Sequence, residues 1–394
     1  MINIVNKVEC CGCEACYNAC PKNCIEMKAD EEGFLYPHVN QDTCINCGLC
    51  EKVCPVINRV PEKETEQKAY LVQHRDDDVR KDSSSGGAFT AIATWVLQQG
   101  GVVFGAAYDE NFSVYHTYVE RIEDLYRFRN SKYVQSNIGN SFVQAKKFLD
   151  EGRWVCFSGT PCQIEGLSSF LQKKYKKIVL VDVVCHGIPS PLVWKKYLEI
   201  QNVNDINPDY IRFRDKYYGY KYSTMSIVKD GKTIYHAGSQ KDPMLRAFFS
   251  DICDRPICYE CPFKKRYRVS DITVWDCFTV YKFDKKIDDD KGTTRVLCHT
   301  ELGNKVIQDA NCHKIKVDAN SLVKGVNEMF YSVSMNPNRA DFFSDVVSMD
   351  AKKLFNKYFP LTTKVRLMTF IRLILITTGF YGFVKKILYT IRGL

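Results

Sequence analysis

The chain is short of several things, and each shortage narrows what it can be. At its start, MINIVNKVEC holds no basic stretch followed by an apolar run, so no secretory leader is expected and the protein reads as cytoplasmic. In that reducing compartment 19 cysteines are metal ligands or reactive thiols, not a disulfide framework. No low-complexity tract interrupts the 394 residues, which suit two or three globular domains with a sizeable core. There is no G-x-G-x-x-G dinucleotide fingerprint, and no motif supports nucleic-acid binding. The apolar stretch LILITTGFYGFV, between Arg372 and Lys385, has twelve uncharged residues, too few to span a bilayer core of about 30 Å. Acids are missing altogether after Leu361, where six basic residues remain. That tail reads either as an amphipathic helix at the inner membrane surface or as a helix docked on the body or on a partner.

Charge is unevenly divided. Residues 1–60 hold five Lys or Arg against eight acids, a net −3, so the rest of this +9 chain carries +12. An acidic front on a basic body suits docking of an electron-transfer module or capture of an anionic cofactor; plain solubility is the bland alternative.

What is abundant is cysteine in two repeated motifs. Cys10, Cys13, Cys16, Cys20 and Pro21 give C-x2-C-x2-C-x3-C-P, and Cys44, Cys47, Cys50, Cys54 and Pro55 repeat it. Three thiolates on one tight loop reach three corners of a four-iron cube, and the fourth points to the neighbouring cluster. Cluster one is therefore expected on Cys10, Cys13, Cys16 and Cys54, and cluster two on Cys44, Cys47, Cys50 and Cys20. Zinc also uses C-x2-C pairs, but it has no need of two triplets each closed by Cys-Pro. Cys11 and Cys24 are left over and read as small buried residues.

Residues 1–60 thus form a ferredoxin-type module, followed by a polar linker at 61–68 containing Pro61. From Ala69 the pattern becomes an α/β body. AYLVQH reads as a strand, Ser83–Gly87 as a small-residue loop, and AFTAIATWVLQQ as a helix stopped by Gly100 and Gly101. GVVFGAAY, Trp154–Phe157 and Ile178–Val184 read as further strands, with helices near Ser141–Leu149 and after Pro161. Division at about residue 150 gives two body segments, 69–150 and 151–320, with a helical extension at 321–394. The fold expected is α+β or α/β with a mixed sheet.

The second half carries its own thiols. Cys258 and Cys261 form a lone C-x2-C, while Cys162 and Cys185 follow or end strands and could share a sheet edge, so a third cluster is conceivable. The loops Ser83–Gly87 and Ser158–Thr160 each lead into a helix start, where backbone N–H groups favour a phosphate. An ordinary capped turn explains them as well.

The blocks SSSGGAFTAI, RNSKYVQS, CFSGTPCQIEGL, VDVVCHGIPSP, FRDK, CYECPFK and RVSDIT, after the double cluster motif, resemble the family of coenzyme F420 hydrogenase/dehydrogenase beta subunits. The resemblance includes bacterial members that look like parts of surface-polysaccharide biosynthesis systems, and runs from Val8 to about Gly303. It implies an FAD-binding iron–sulfur protein. Ser85, Gly86 and Gly87 then fall in a first flavin loop, and Ser131, Lys132 and Tyr133 match an S-K-Y block. Ser158, Gly159, Thr160 and Pro161 match the loop under the flavin, with His186 and Arg214 as flavin or substrate contacts. Cys162, Cys185, Cys258 and Cys261 match thiols that hold a cluster beside FAD, with Cys253 as a spare. After RVSDIT the chain departs from the family's Gly-Asp-Phe-Trp-Gly and reads Trp275-Asp276-Cys277-Phe278-Thr279, which remodels the pocket or alters activity. Cys277 is expected to replace an aromatic passively.

The activity implied is that of a flavin- and iron–sulfur-dependent oxidoreductase. Its clusters exchange single electrons with a ferredoxin or a partner subunit, and its flavin exchanges hydride with an organic acceptor or deazaflavin. A subunit that passes electrons to a partner enzyme without a substrate of its own, or a scaffold that has lost flavin, are the competing expectations.

Overall fold

Residues 1–391 are described in the structure, a computed structural model of the chain. The cysteine-dense front builds two short cluster loops, each followed by one helical turn, Ala15–Ala19 and Leu49–Lys52. Between them runs an antiparallel hairpin of β1 (Ile25–Ala29) and β2 (Leu35–Val39), paired from Ile25 opposite Val39 to Ala29 opposite Leu35. Each helical turn is entered through a left-handed residue, Glu14 and Gly48 respectively. The two halves of the motif therefore fold alike.

The body is organised by one sheet of eight strands. In chain order these are β3 (Lys68–His74), β4 (Val102–Tyr108), β5 (Val114–Val119), β6 (Val155–Gly159) and β7 (Ile178–Val183). After the separate sheet β8 (Tyr210–Asp215), β9 (Thr224–Lys229) and β10 (Lys232–Gly238) come β11 (Ile272–Asp276), β12 (Thr294–Cys298) and β13 (Cys312–Val317). The large sheet runs β13-β3-β12-β11-β7-β6-β4-β5. Its centre, β4, β6, β7 and β11, is parallel, and its flanks are antiparallel. Apolar runs such as VVF in β4 and IVLV in β7 suit strands covered on both faces.

Alternation along these strands separates two cores. Val102, Phe104, Val155, Phe157, Ile178 and Leu180 face the helices Ser141–Asp150 and Pro161–Leu171. Val103, Ala107, Cys156, Val179 and Val181 face the helices Ala88–Gln98 and Glu301–Asp309. Cys11, Cys13, Ala15 and Val53 of the N-terminal module join the first of these cores, so the module is packed onto the body. Buried Arg339 pairs with Glu32 at 2.6 Å, and the Ile138 and Gly139 N–H groups donate to Glu14 at 2.9 and 3.0 Å.

The segments on either side of residue 150 do not form separate sheets. β3 pairs with β12 and β13, and β4 pairs with β6, so both segments contribute to one sheet. The linker lies along the body: Glu62 accepts from the Arg266 and Tyr267 N–H groups at 2.9 Å. A third core around Trp194 unites β8, β9 and the helices Pro191–Ile200, Arg339–Ser348 and Ala351–Tyr358. The tail ends in two helices, Thr363–Thr377 and Tyr381–Ile391.

Candidate cluster and cofactor sites

The N-terminal cysteines gather into two sets. Cys16 lies in the electrostatic reach of Cys10, Cys54 and Cys50, and Cys54 in that of Cys10 and Cys50. The turn Leu49–Lys52 therefore returns Cys54 to the loop of Cys10, Cys13 and Cys16. Cys20, Cys44, Cys47 and Cys50 instead line one small cavity, together with Cys24, whose sulfur is 3.3 Å from that of Cys20. Backbone N–H groups point at these sulfurs, Ile2 to Cys50 at 3.3 Å and Cys24 to Cys20 at 3.4 Å. Such donors stabilise negative sulfur and raise a cluster's potential. Among the described residues no three His, Cys, Asp or Glu side chains converge as a single metal ion requires. A four-iron cube takes its thiolates at separate corners, and these two sets suit it.

A third set of thiols assembles from three loops of the body. Cys258 lies in the electrostatic reach of Cys185, Cys261 and Cys162, in that order. Burial pushes the Cys185 thiol up to about 12 and that of Cys261 up to about 11, and raises that of Cys258 as well. Thiolates held there need a cationic core beside them, which is the chemistry an iron–sulfur cube supplies. Cys162 is placed by the helix Pro161–Leu171, whose capping box uses Thr160 and Gln163. One turn along the same helix, Gly166 backs onto Cys13, where a Cβ would stand 2.8 Å from the cysteine sulfur. Cys11 packs in one core with Cys13 and Cys162 and lines the cavity beside Cys162. The first N-terminal set and the body set thus abut through Cys11.

Beside Cys162 and Cys185 opens a cavity of about 570 Å³ at the carboxyl ends of β6, β7 and β11. Ligand sites in α/β sheets occupy this position, and the volume falls within the ordinary range of ~300–1,000 Å³. Ser84, Ser85, Gly87 and Ala88 form one wall at the start of the helix Ala88–Gln98, and Ser158, Gly159 and Thr160 another. Both helix starts direct backbone N–H groups toward a phosphate position. The Ser131 N–H donates to Ser84 Oγ at 2.7 Å, which ties the S-K-Y block to the serine loop.

Cations outnumber acids on the cavity wall, with Arg129, Lys132, Arg214 and Lys385 against Asp276 and Glu328. Arg214 donates to Asp276 at 2.8 Å and to the Tyr133 hydroxyl at 3.0 Å. Its other terminal nitrogen is buried without a partner, as are Trp275 Nε1 and His116 Nδ1 on the same wall. Burial lowers Lys132 to about 7 and Lys385 to about 8. The unpartnered N–H groups of Arg214 and Trp275 and a cationic lining fit a bound, phosphate-bearing cofactor such as FAD.

The sequence-expected residues divide by position. Ser85, Gly87, Ser131, Lys132, Tyr133, Ser158, Gly159, Thr160, His186 and Arg214 line the cavity. Gly86 and Pro161 stand behind its wall. A Cβ on Gly86 would lie 2.3 Å from the Val72 carbonyl oxygen, so close strand packing dictates that glycine. Pro161 is buried at the first position of its helix. Cys253 packs in the Trp194 core, whereas Cys162, Cys258 and Cys261 pack in another. Cys277 is fully buried among Ala69, Leu71 and Leu297, as a passive replacement would be, with Arg295 Nε 3.4 Å from its sulfur.

Cys11 and Cys24 are buried, as the sequence reading expected, whereas Arg255 and Lys385 were missed. Arg255 is fully buried and donates to the Cys10 carbonyl at 2.7 Å, Gln135 Oε1 at 2.9 Å and the Leu35 carbonyl at 2.9 Å, with a further contact to the Cys10 sulfur at 3.4 Å. The adjacency of Cys10 and Cys11 was the one visible signal for a bridging thiol. Nothing in the spacing marks Arg255 or Lys385, because both act across the fold.

Comparison with known proteins separates the same regions. Residues 9–58 match the 4Fe-4S dicluster domain, and residues 152–321 match the C terminus of the coenzyme F420 hydrogenase/dehydrogenase beta subunit. The ketoisovalerate oxidoreductase subunit VorC of Methanothermobacter marburgensis is 39% identical over 14% of this chain and 75% of its own length. In the F(420)H(2) dehydrogenase of Methanosarcina mazei, the F subunit is 24% identical over 50% of this chain, which spans 60% of that relative. The coenzyme F420-dependent sulfite reductase of Methanocaldococcus jannaschii is 27% identical over 50% of this chain, which spans only 30% of that enzyme. The N-terminal domain is one that carries two [4Fe-4S] clusters, in accord with the two cysteine sets gathered there. The chain therefore joins a 4Fe-4S dicluster domain at its front to a domain matching the C terminus of coenzyme F420 hydrogenase/dehydrogenase beta subunits.

Proposed function

We propose that this chain is an iron–sulfur flavoprotein oxidoreductase whose electrons travel between the N-terminal clusters and a flavin site in the large cavity. The observation that carries the reading is the packing of Cys11 and Cys13 in one core with Cys162, at the cavity's edge. Cys162, Cys185, Cys258 and Cys261 are the residues that would hold a third [4Fe-4S] cluster there. Bound in the cavity, FAD would exchange hydride with an organic acceptor or deazaflavin and single electrons with the clusters.

The chain's own residues supply the setting. The serine loop and the start of the helix Ala88–Gln98 bind phosphate, while Arg214, held by Asp276, presents its buried free N–H to an anionic or carbonyl group. Lys264 donates to the Cys185 and His186 carbonyls and fixes the loop that brings Cys185 to the cavity. His186 Nε2 meets Asp251 at 2.7 Å, which orients its ring over Phe248. A ferredoxin or a partner redox subunit would dock on the acidic front, where Cys47 is exposed.

The test is anaerobic purification with FAD, followed by mixing with reduced ferredoxin, reduced deazaflavin and reduced nicotinamide in turn. The reading expects bleaching of flavin absorption by at least one donor. Bleaching that requires the clusters for ferredoxin but not for the two hydride donors would locate flavin as the exchange point. Protein that holds its clusters and never retains flavin would overturn it.

A further inference from the structure

The tail helices show two faces that the redox site does not explain. In Thr363–Thr377, Leu367, Phe370, Ile371 and Ile374 recur at the spacing of one helix stripe, and all are exposed. In Tyr381–Ile391, Phe383 and Ile387 continue an exposed apolar stripe, with Phe383 63% exposed. Other residues of that second helix are committed to the body. Tyr381 meets the Tyr222 ring edge-on at 5.3 Å, Lys386 pairs with Asp288 at 2.9 Å, and Lys385 lies 4.7 Å over the Phe278 ring. The Lys385 ammonium also donates to the Lys221 carbonyl.

One helix therefore walls the cavity with some residues and leaves apolar ones uncovered. Among the described residues no single helix is long and apolar enough to cross a membrane; the two tail helices reach that composition only as a pair bent by 118°. A bent, exposed, apolar pair lies along an interface. The charge states which interface: residues 361–394 contain six basic residues and no acid. An acidic protein partner would match the charge but would bring no reason for a broad, unbroken apolar stripe on both helices.

We propose that the tail hairpin docks the protein on an anionic lipid bilayer, its apolar stripes sunk at the headgroup boundary and the exposed Lys364 and Arg366 against the headgroups. Because Lys385 and Phe278 meet at the cavity wall, docking places the second tail helix between that wall and the lipid surface. The inference stands on the tail's faces and does not depend on which cofactor the cavity holds.

The experiment is co-sedimentation of the full-length, cluster-loaded protein with phosphatidylcholine vesicles and with mixed phosphatidylcholine–phosphatidylglycerol vesicles. Binding is expected to the mixed vesicles, weakening with added salt. Lys364→Ser and Arg366→Ser should each lower affinity about fivefold, the equivalent of about 1 kcal/mol per basic residue at such a surface. Phe370→Glu with Phe383→Glu should lower it by more than about tenfold. Unchanged cluster absorption in every variant verifies that the fold persists. Equal binding to both vesicle types, or no effect of the paired apolar changes, would overturn the proposal. So would a wild-type dimer that Phe370→Glu dissociates in the absence of vesicle binding, since the face would then belong to a second copy.

Discussion

The front module and the body hold their cysteines by opposite means. In the front, four ligands fall within eleven residues of chain, and a single helical turn suffices to return the fourth. In the body, Cys162, Cys185, Cys258 and Cys261 are brought together only when β6, β7 and the Pro256–Glu260 turn are already in place. The front can assemble around iron locally, whereas the body set inherits its geometry from a finished sheet. The difference teaches that a single chain can store one set of thiols in its spacing and another in its topology.

The contrast is broken most severely by cutting ligands. Cys54→Ser should remove the cluster on Cys10, Cys13 and Cys16 and spare that on Cys44, Cys47 and Cys50, as read by electron paramagnetic resonance of the reduced protein. Loss mapped to the Cys44–Cys50 loop instead would contradict the crossover.

Arg255 joins the two regions, and its removal is the next largest effect. Arg255→Met leaves the Cys10 carbonyl, the Leu35 carbonyl and Gln135 Oε1 without that donor, which should cost ~2–4 kcal/mol in anaerobic denaturant unfolding. It also removes a cation beside the Cys10 sulfur, so the potential of cluster one should fall in a redox titration.

Within the body, Arg214→Met should weaken flavin retention by about tenfold to a hundredfold in anaerobic equilibrium dialysis, with cluster content unchanged. Gly166→Ala tests the contact between the regions: its methyl would press on Cys13, for a cost of ~1–3 kcal/mol and an altered signal from cluster one. An unchanged signal with unchanged stability would mean the two regions meet more loosely than this contact implies.

The smallest effect is a pH dependence. Burial depresses Lys132 to about 7, below its ordinary value, so in the empty protein its charge is lost as pH rises through that region. An anionic cofactor favours the charged form, so binding takes up a proton and displaces the titration upward. Flavin affinity should therefore decline by a few-fold as pH is raised above about 7, and Lys132→Met should flatten the profile. For folding the sign is opposite. A depressed lysine means the unfolded chain holds more protons, so its burial penalty is full below pH 7 and is relieved as pH rises toward its unfolded value.

Much of this was legible in the sequence for a physical reason: both cluster motifs and the central strands are local patterns. The βαβ rhythm from Ala69 to Val184 follows from buried parallel strands between amphipathic helices, and the strands and helices named there stand within a residue or two of expectation. The hairpin β9–β10 and the helices after Pro191 and Asn338 were not read, because their apolar faces are mixed with polar turns and are decided by packing around Trp194. At the cavity, small-residue loops marked the phosphate side. Gly86 carried the same mark, yet its freedom serves the approach of Val72 and Thr294. A glycine in a motif records a close approach and not what approaches.

The central claim is that the body thiols, like those of the front, hold a cluster. The most direct test is to count iron, sulfide and flavin in anaerobically prepared wild type and in a Cys162→Ser, Cys258→Ser double variant. About twelve irons and one flavin are expected per wild-type chain, and about eight irons in the variant, at four per cluster. About eight irons in both proteins would contradict the claim.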